Sequence, residues 1–287
     1  MEKVKCFVDH FCCETDKEKA DTLLRRLGFV YGNNKFDKLI HVMFDNCYLE
    51  YTEIKSEGVL GTEKVKIIRG KKANMGTIWL GSNDISKTYE DLRDAGYPVM
   101  KPQIGAIGGS RRAKHGTIKG SARFAGLGFS DSTPFDSKKT IFGVVQHMTP
   151  ELIYPKQRYL HVNNARSVST LIFVCKDEDR KLAAYKYFKD FEKFFSESAD
   201  KDHNIPAAIM VDLNEYKKIF GVTYEGDKEM DLAAVVFEGG DKVYIKEQLD
   251  GTGIHYFEND NGLYRDSLYL DVREYFGSFF VFECDVV

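Results

Sequence analysis

Residues 5–13 read Lys-Cys-Phe-Val-Asp-His-Phe-Cys-Cys, KCFVDHFCC, an apolar run carrying one Asp9-His10 pair. Its aromatic, Val and Cys content reads as a strand. Thr15-Asp16-Lys17-Glu18 offers an N-cap candidate, and Ala20, Leu23, Leu24 and Leu27 recur at helical spacing before Gly28 closes the helix. The same strand-then-helix pattern returns at residues 77–96 and 170–194, so the chain is read as an internal repeat.

Outward from this stretch, apolar runs at 29–31, 39–44 and 48–54 are expected as strands, with turn chemistry at Asn33-Asn34 and Asp45-Asn46. The first unit therefore reads β-α-β-β-β. Residues 55–75 form a charged connection, and the pattern restarts with GTIWLGSND, a helix over 86–96, a strand from Tyr97, and strands at 122–129 and 140–148. Residues 103–120 are Gly-rich and basic, which suggests a mobile hairpin or lid. After a linker at 150–164, a third strand-helix pair begins, followed by five further strand-like runs.

The chain has 287 residues, 43% of them hydrophobic, enough for one large domain or two small ones. Lys plus Arg total 41 against 44 Asp plus Glu, with no long block of one sign, which argues against nucleic acid as a partner. No apolar run approaches the ~20 residues that span a bilayer, so the expectation is a cytoplasmic protein without a membrane partner. The six cysteines lie in strand-like runs and never at CxxC spacing, and read as reduced core residues.

Taken together, Asp9-His10, Tyr48-Leu49-Glu50, Val145-Gln146-His147 with Thr149-Pro150-Glu151, and His161-Val162-Asn163-Asn164-Ala165 resemble the vicinal oxygen chelate superfamily, the glyoxalase/bleomycin resistance/dioxygenase group. The resemblance covers nearly all of residues 1–175. It implies an α+β fold of tandem βαβββ modules lining a half-barrel cup, with a degenerate C-terminal repeat. The expected domains are 1–150, a paired glyoxalase-like unit, and 165–287, a companion of related modules. It further implies a divalent metal (Zn, Ni, Mn or Fe) held by residues on the inner strand faces.

Repeat symmetry maps His10 onto Ile78 and Glu50 onto Gln146, so His10, Glu50 and Gln146 are the expected metal ligands. Strand alternation then turns His147 to the opposite face and groups His10 with Cys6, Val8 and Cys12. His10 and Glu50 also form an acid-base pair, the expected catalytic residues. Arg111 and Arg112, with His41, are the expected substrate-binding residues, because Arg pairs an anion in bidentate fashion; Arg112 is preferred. Trp79 is expected between sheet and helix.

Gly105, Gly108 and Gly109 lack the GK[ST] ending of a phosphate loop. The third unit has Ile172 at the first-ligand position and only Glu283 as a carboxylate, which makes no second site. The partner is a small molecule, and a homodimer is compatible with it. Two function classes stand: a lyase, isomerase or dioxygenase acting on a small oxygenated or anionic metabolite, and a non-catalytic metabolite- or drug-binding protein. A scaffold with a filled cup is a third.

Overall fold

The computed structural model describes residues 1–31, 40–53, 74–113, 116–129, 141–149, 160–195, 205–226, 229–259, 263–264 and 266–284, with side chains for all but 52–53, 74–77, 107–113, 116–122 and 141–142. The opening apolar run is two strands rather than one. β1 (Val4–Lys5) pairs with a strand near residue 207, whereas β2 (Val8–Thr15) lies at the centre of a different sheet. A donor bond from Cys6 N to Pro206 O, 2.7 Å, marks the crossing point.

α1 (Lys17–Arg26) begins where the Asp16 carboxylate accepts from Lys19 N–H. Gly28 follows at φ +84; a Cβ there would meet the Tyr244 ring and Asn163 N. Glycine is needed both for the left-handed backbone and for that approach. β3 (Ile40–Met43), β4 (Tyr48–Glu53), β5 (Asn74–Gly81), α2 (Ile85–Asp94), β6 (Gln103–Ala113), β7 (Gly116–Gly128) and β8 (Ile141–His147) complete the first half. Among the described residues its sheet runs β3-β4-β2-β5-β8-β7-β6 and curls into a half-barrel.

The second half contains β9 (Ser167–Cys175), α3 (Glu178–Phe195), β10 (Ala207–Val211), α4 (Leu213–Phe220) and β11 (Met230–Glu238). α5 (Lys242–Leu249), β12 (Tyr256–Glu258), β13 (Leu268–Leu270), α6 (Arg273–Phe276) and β14 (Phe279–Glu283) follow. The order β1-β10-β9-β11-β14-β13-β12 reproduces the first sheet. In both, an antiparallel central pair (β2·β5, β9·β11) is flanked by parallel partners (β4 and β8, β10 and β14).

The α+β fold of repeated modules is thus as expected, but the units are unequal. β5-α2-β6-β7-β8 and β11-α5-β12-β13-β14 are full βαβββ modules. Among the described residues the first unit is βαββ, because residues 29–31 are not a strand: Val30 N–H donates instead to His161 Nδ1, 2.9 Å. In the third unit, β1 from the chain's start supplies the antiparallel edge. The expected turn at Asn33-Asn34, the connection 55–73 and Pro150-Glu151 lie outside the described residues.

One apolar core joins the halves, containing Phe11, Leu24, Leu49 and Ile78 from the first and Phe173, Phe237 and Phe280 from the second. The opposite face of the second sheet is covered by α4, whose Tyr216, Ile219 and Phe220 pack on Ile172, Val174, Ile209 and Phe279. Burying such side chains contributes about 1.5–3 kcal/mol each. That face is therefore filled, while the corresponding face of the first sheet carries polar groups.

Candidate functional site

The inner face of the first sheet follows from its register. His10 pairs with Tyr48 and Trp79, Cys12 with Glu50, His41 with Glu50, and Trp79 with Gly143. Paired residues share a face, so these side chains line one cup. A bulge sets Asp9 between the pairs Val8↔Leu80 and His10↔Trp79. It shifts the alternation by one: Val8 and Phe11 face the core, His10 and Cys12 the cup. His10 therefore does not share its face with Cys6 and Val8.

The same shift places Ile78 in the core and Trp79 in the cup, reversing the expected assignment. Trp79 does not pack between sheet and helix. Its ring lies against Gly143 and Gly126, where a Cβ would stand 2.5 and 3.4 Å from the indole. His10 stacks between Tyr48, 4.5 Å and 11°, and Trp79, 5.8 Å and 18°.

Gln146 and His147 are exchanged as well. Gln146 Oε1 accepts from Ile85 N–H, 3.1 Å, and its Nε2 donates to Asn83 O, 2.5 Å, so this side chain anchors the start of α2. Gln146 is thus not a cup ligand. His147 enters the cup instead, its Nε2 2.9 Å from Asp9 Oδ1. The same Asp9 oxygen lies 2.6 Å from His10 Nδ1. Burial raises the Asp9 pKa, but the hydrogen bonds and charges of His10 and His147 outweigh it and hold the carboxyl well below its usual range.

Glu50 occupies the other wall. Its Oε2 is 3.1 Å from His41 Nε2, and its Oε1 accepts from Cys12 Sγ at 3.3 Å. Burial again pushes upward, yet His41, then the charge of His10 and the Cys12 bond, bring Glu50 to about 2. Burial, followed by the Glu50 charge, pushes the Cys12 thiol well above its ordinary value, and the Trp79 side chain hydrogen-bonded to it opposes this. The His41 side chain is 34% exposed against 17% for Glu50 and 9% for His10, so the cup opens toward His41.

The structure thus brings His10, Glu50 and His41 together, adds Asp9, Cys12, Trp79 and His147, and removes Gln146. Among the described residues, two overlapping sets place their ligand atoms within 4.8 Å of one another: Asp9, His10 and His147, and His10, Cys12 and Glu50. The glycines at 126 and 143 and the Asp9 bulge were signals of the true facing, but no single-strand periodicity reads a bulge.

Residues 103–126 form a long paired ribbon, from Gln103↔Gly126 to Ala113↔Gly116, that extends past the last pair with β8, Phe124↔His147. The basic stretch is therefore part of a hairpin, as expected. The side chains of Arg111 and Arg112 lie outside the described residues, as do Lys114 and His115 entirely.

Neither a family model nor a curated protein matches the chain. Solved structures do. A mutant of 4-hydroxymandelate synthase from Streptomyces coelicolor aligns over 97% of this chain and 92% of its own, at TM-score 0.52 and 9% identity. A xylose isomerase-like TIM barrel/4-hydroxyphenylpyruvate dioxygenase fusion protein aligns over 98% of this chain and 49% of its own, at TM-score 0.53 and 11% identity. The Mn(II)-bound glyoxalase from Novosphingobium aromaticivorans aligns over 99% and 84%, at 0.48 and 10%. The chain shares the fold of the hydroxymandelate synthase and of the dioxygenase fusion protein. No helix among the described residues is long and apolar enough to cross a membrane.

Proposed function

We propose that the first-half cup is a divalent-metal centre that binds a small oxygenated or anionic metabolite and moves a proton on it, an isomerase- or lyase-type reaction. The observation that carries this is the convergence of His10, Cys12 and Glu50 ligand atoms within 4.8 Å on a partly buried face. The donor set fits a metal: an imidazole, a carboxylate and a thiol are ordinary ligands. With Nδ1 of His10 engaged by Asp9, Nε2 is left for the cup, the carboxylate–histidine arrangement that orients metal-ligating imidazoles.

His10 and Glu50 would hold the ion, which when bound would polarise a substrate oxygen and acidify the adjacent C–H. His41 bonds to Glu50 and is partly exposed, so it is placed to exchange a proton between cup and solvent. His147, steadied by Asp9, is a second proton carrier on the opposite wall. Arg111 and Arg112, of which Arg112 is preferred, are the anion-binding candidates. Fold alone does not choose the reaction, and dioxygenase chemistry shares this architecture.

A second reading, a binding protein for a planar ligand, is favoured by one observation. Trp79, packed against two glycines, gives the cup an aromatic floor. Elemental analysis after loading with excess divalent ion and gel filtration tests the primary reading. One ion per chain in the wild type, lost in His10→Ala with an unchanged circular dichroism spectrum, is expected. A wild type that retains no ion leaves the binding-protein reading.

A further inference from the structure

The charge and softness of the donor set carry the metal reading one step further. Resting on the proposed metal centre, we infer that Cys12 is its third protein ligand and that the resulting nitrogen, sulfur and oxygen set selects zinc over manganese or magnesium. Cys12 is the only cysteine within either group of converging ligand atoms among the described residues. Its Sγ lies 3.3 Å from Glu50 Oε1. Two atoms bound to one tetrahedral ion through bonds of about 2.3 and 2.1 Å stand roughly 3.5 Å apart, so the thiol and carboxylate already hold the spacing of neighbouring ligands.

Local structure explains why this thiol is in the cup. Cys12 pairs with Glu50 on one side and with residue 77 on the other, and the bulge at Asp9 turns it inward while Cys13 goes to the core. Five other cysteines lie outside this group; Cys6, Cys13, Cys47 and Cys175 are buried. Metal capture breaks the S–H bond and forms the sulfur–metal bond; the proton leaves to solvent, and no electron is transferred.

Thiolate favours borderline-soft ions, imidazole suits zinc, and a hard ion such as manganese or magnesium gains little from sulfur. Three protein ligands leave a fourth position open, the arrangement of a catalytic rather than a structural zinc site. The Asp9–His10 bond then orients the imidazole, and the Cys12–Glu50 spacing sets the ion's other two protein contacts.

The test uses the full chain loaded with cobalt(II) as a zinc surrogate and, separately, with equimolar zinc and manganese. Wild-type protein should show a thiolate-to-cobalt charge-transfer band in the near ultraviolet and retain zinc over manganese. Cys12→Ser should still take up cobalt, lose the band, and reduce the zinc preference by about 10- to 100-fold. X-ray absorption of zinc-loaded wild type needs no variant, and should show a sulfur neighbour at about 2.3 Å. Cobalt bound without the band, zinc without the sulfur neighbour, or an unchanged preference in Cys12→Ser would overturn the assignment of Cys12 while leaving the metal centre standing. Wild type that takes up no ion at all overturns both.

Discussion

Asp9 Oδ1 lies 2.6 Å from Nδ1 of His10, and this short bond fixes which nitrogen of the imidazole looks into the cup. The same oxygen reaches His147 Nε2 at 2.9 Å, so one carboxylate orients two rings. Asp9→Asn keeps the size and can still accept one of these bonds, but it removes the charge that both histidines share. Divalent-ion affinity, measured by isothermal titration, should fall about 10- to 100-fold, the usual consequence of losing an outer-shell carboxylate. Unchanged affinity would mean that His10 is oriented by its aromatic stacking alone.

Glu50 makes the complementary case. Its two oxygens are divided between His41 and Cys12, and Glu50→Gln retains one acceptor while removing the charge. Ion retention should be lost, whereas unfolding free energy should change by about 1 kcal/mol, because the group lies in a cleft and not in the core. A variant that keeps stoichiometric metal would remove Glu50 from the ligand set.

Gln146 distinguishes the observed facing from the one that repeat symmetry suggested. It bonds Ile85 N–H and Asn83 O at the start of α2, away from the cup. Gln146→Ala should therefore cost about 1–2 kcal/mol in urea denaturation, as the loss of a helix-capping side chain does. Metal uptake should match the wild type. A specific loss of metal with stability intact would restore Gln146 as a ligand.

How much was legible follows from these residues. The strand-helix order is a local signal that spacing reads correctly, whereas His10 and Glu50 are named through the family resemblance and not by alternation. Trp79 for Ile78 and His147 for Gln146 are one-residue errors. Carrying alternation through the repeat cannot register a bulge such as Asp9, and a one-residue slip exchanges the faces of a strand. Residues 29–31 have strand-like composition, but a histidine 131 positions later takes the N–H of Val30. β1 joins the other sheet through a contact still more remote in sequence. Neither partner can be read from a window of local sequence.

Gly143 offers a direct optical check on the cup floor. A Cβ there would stand 2.5 Å from Trp79 Cζ3, within a rigid ring and not at the end of a flexible chain. Gly143→Ala should displace the indole at a cost of about 1–3 kcal/mol. Since Trp79 is the sole tryptophan, intrinsic fluorescence reports it without ambiguity. A shifted emission maximum with loss of the floor is expected, and a spectrum identical to wild type would place the ring elsewhere.

His161 links the two halves and gives the last prediction, which concerns pH. Its Nδ1 accepts from Val30 N–H, 2.9 Å, so its Nε2 carries the proton and donates to Met43 O, 3.0 Å. The residue is buried, and burial lowers its pKa to about 4 despite the Met43 bond and the charge of Asp45, which raise it. A histidine held neutral in the fold, with a pKa below the ordinary 6.5, takes up its proton more readily when unfolded. Its contribution is therefore complete above about pH 6.5 and declines as the pH falls toward 4, by roughly 3 kcal/mol in all. His161→Gln can retain an acceptor and a donor but does not titrate. Urea denaturation across pH 6.5 to 5, above the usual carboxylate range, should show wild-type stability falling toward that of the variant as the pH drops. A wild-type-minus-variant difference that stays constant over this range would mean that protonation of His161 is not resisted by the fold.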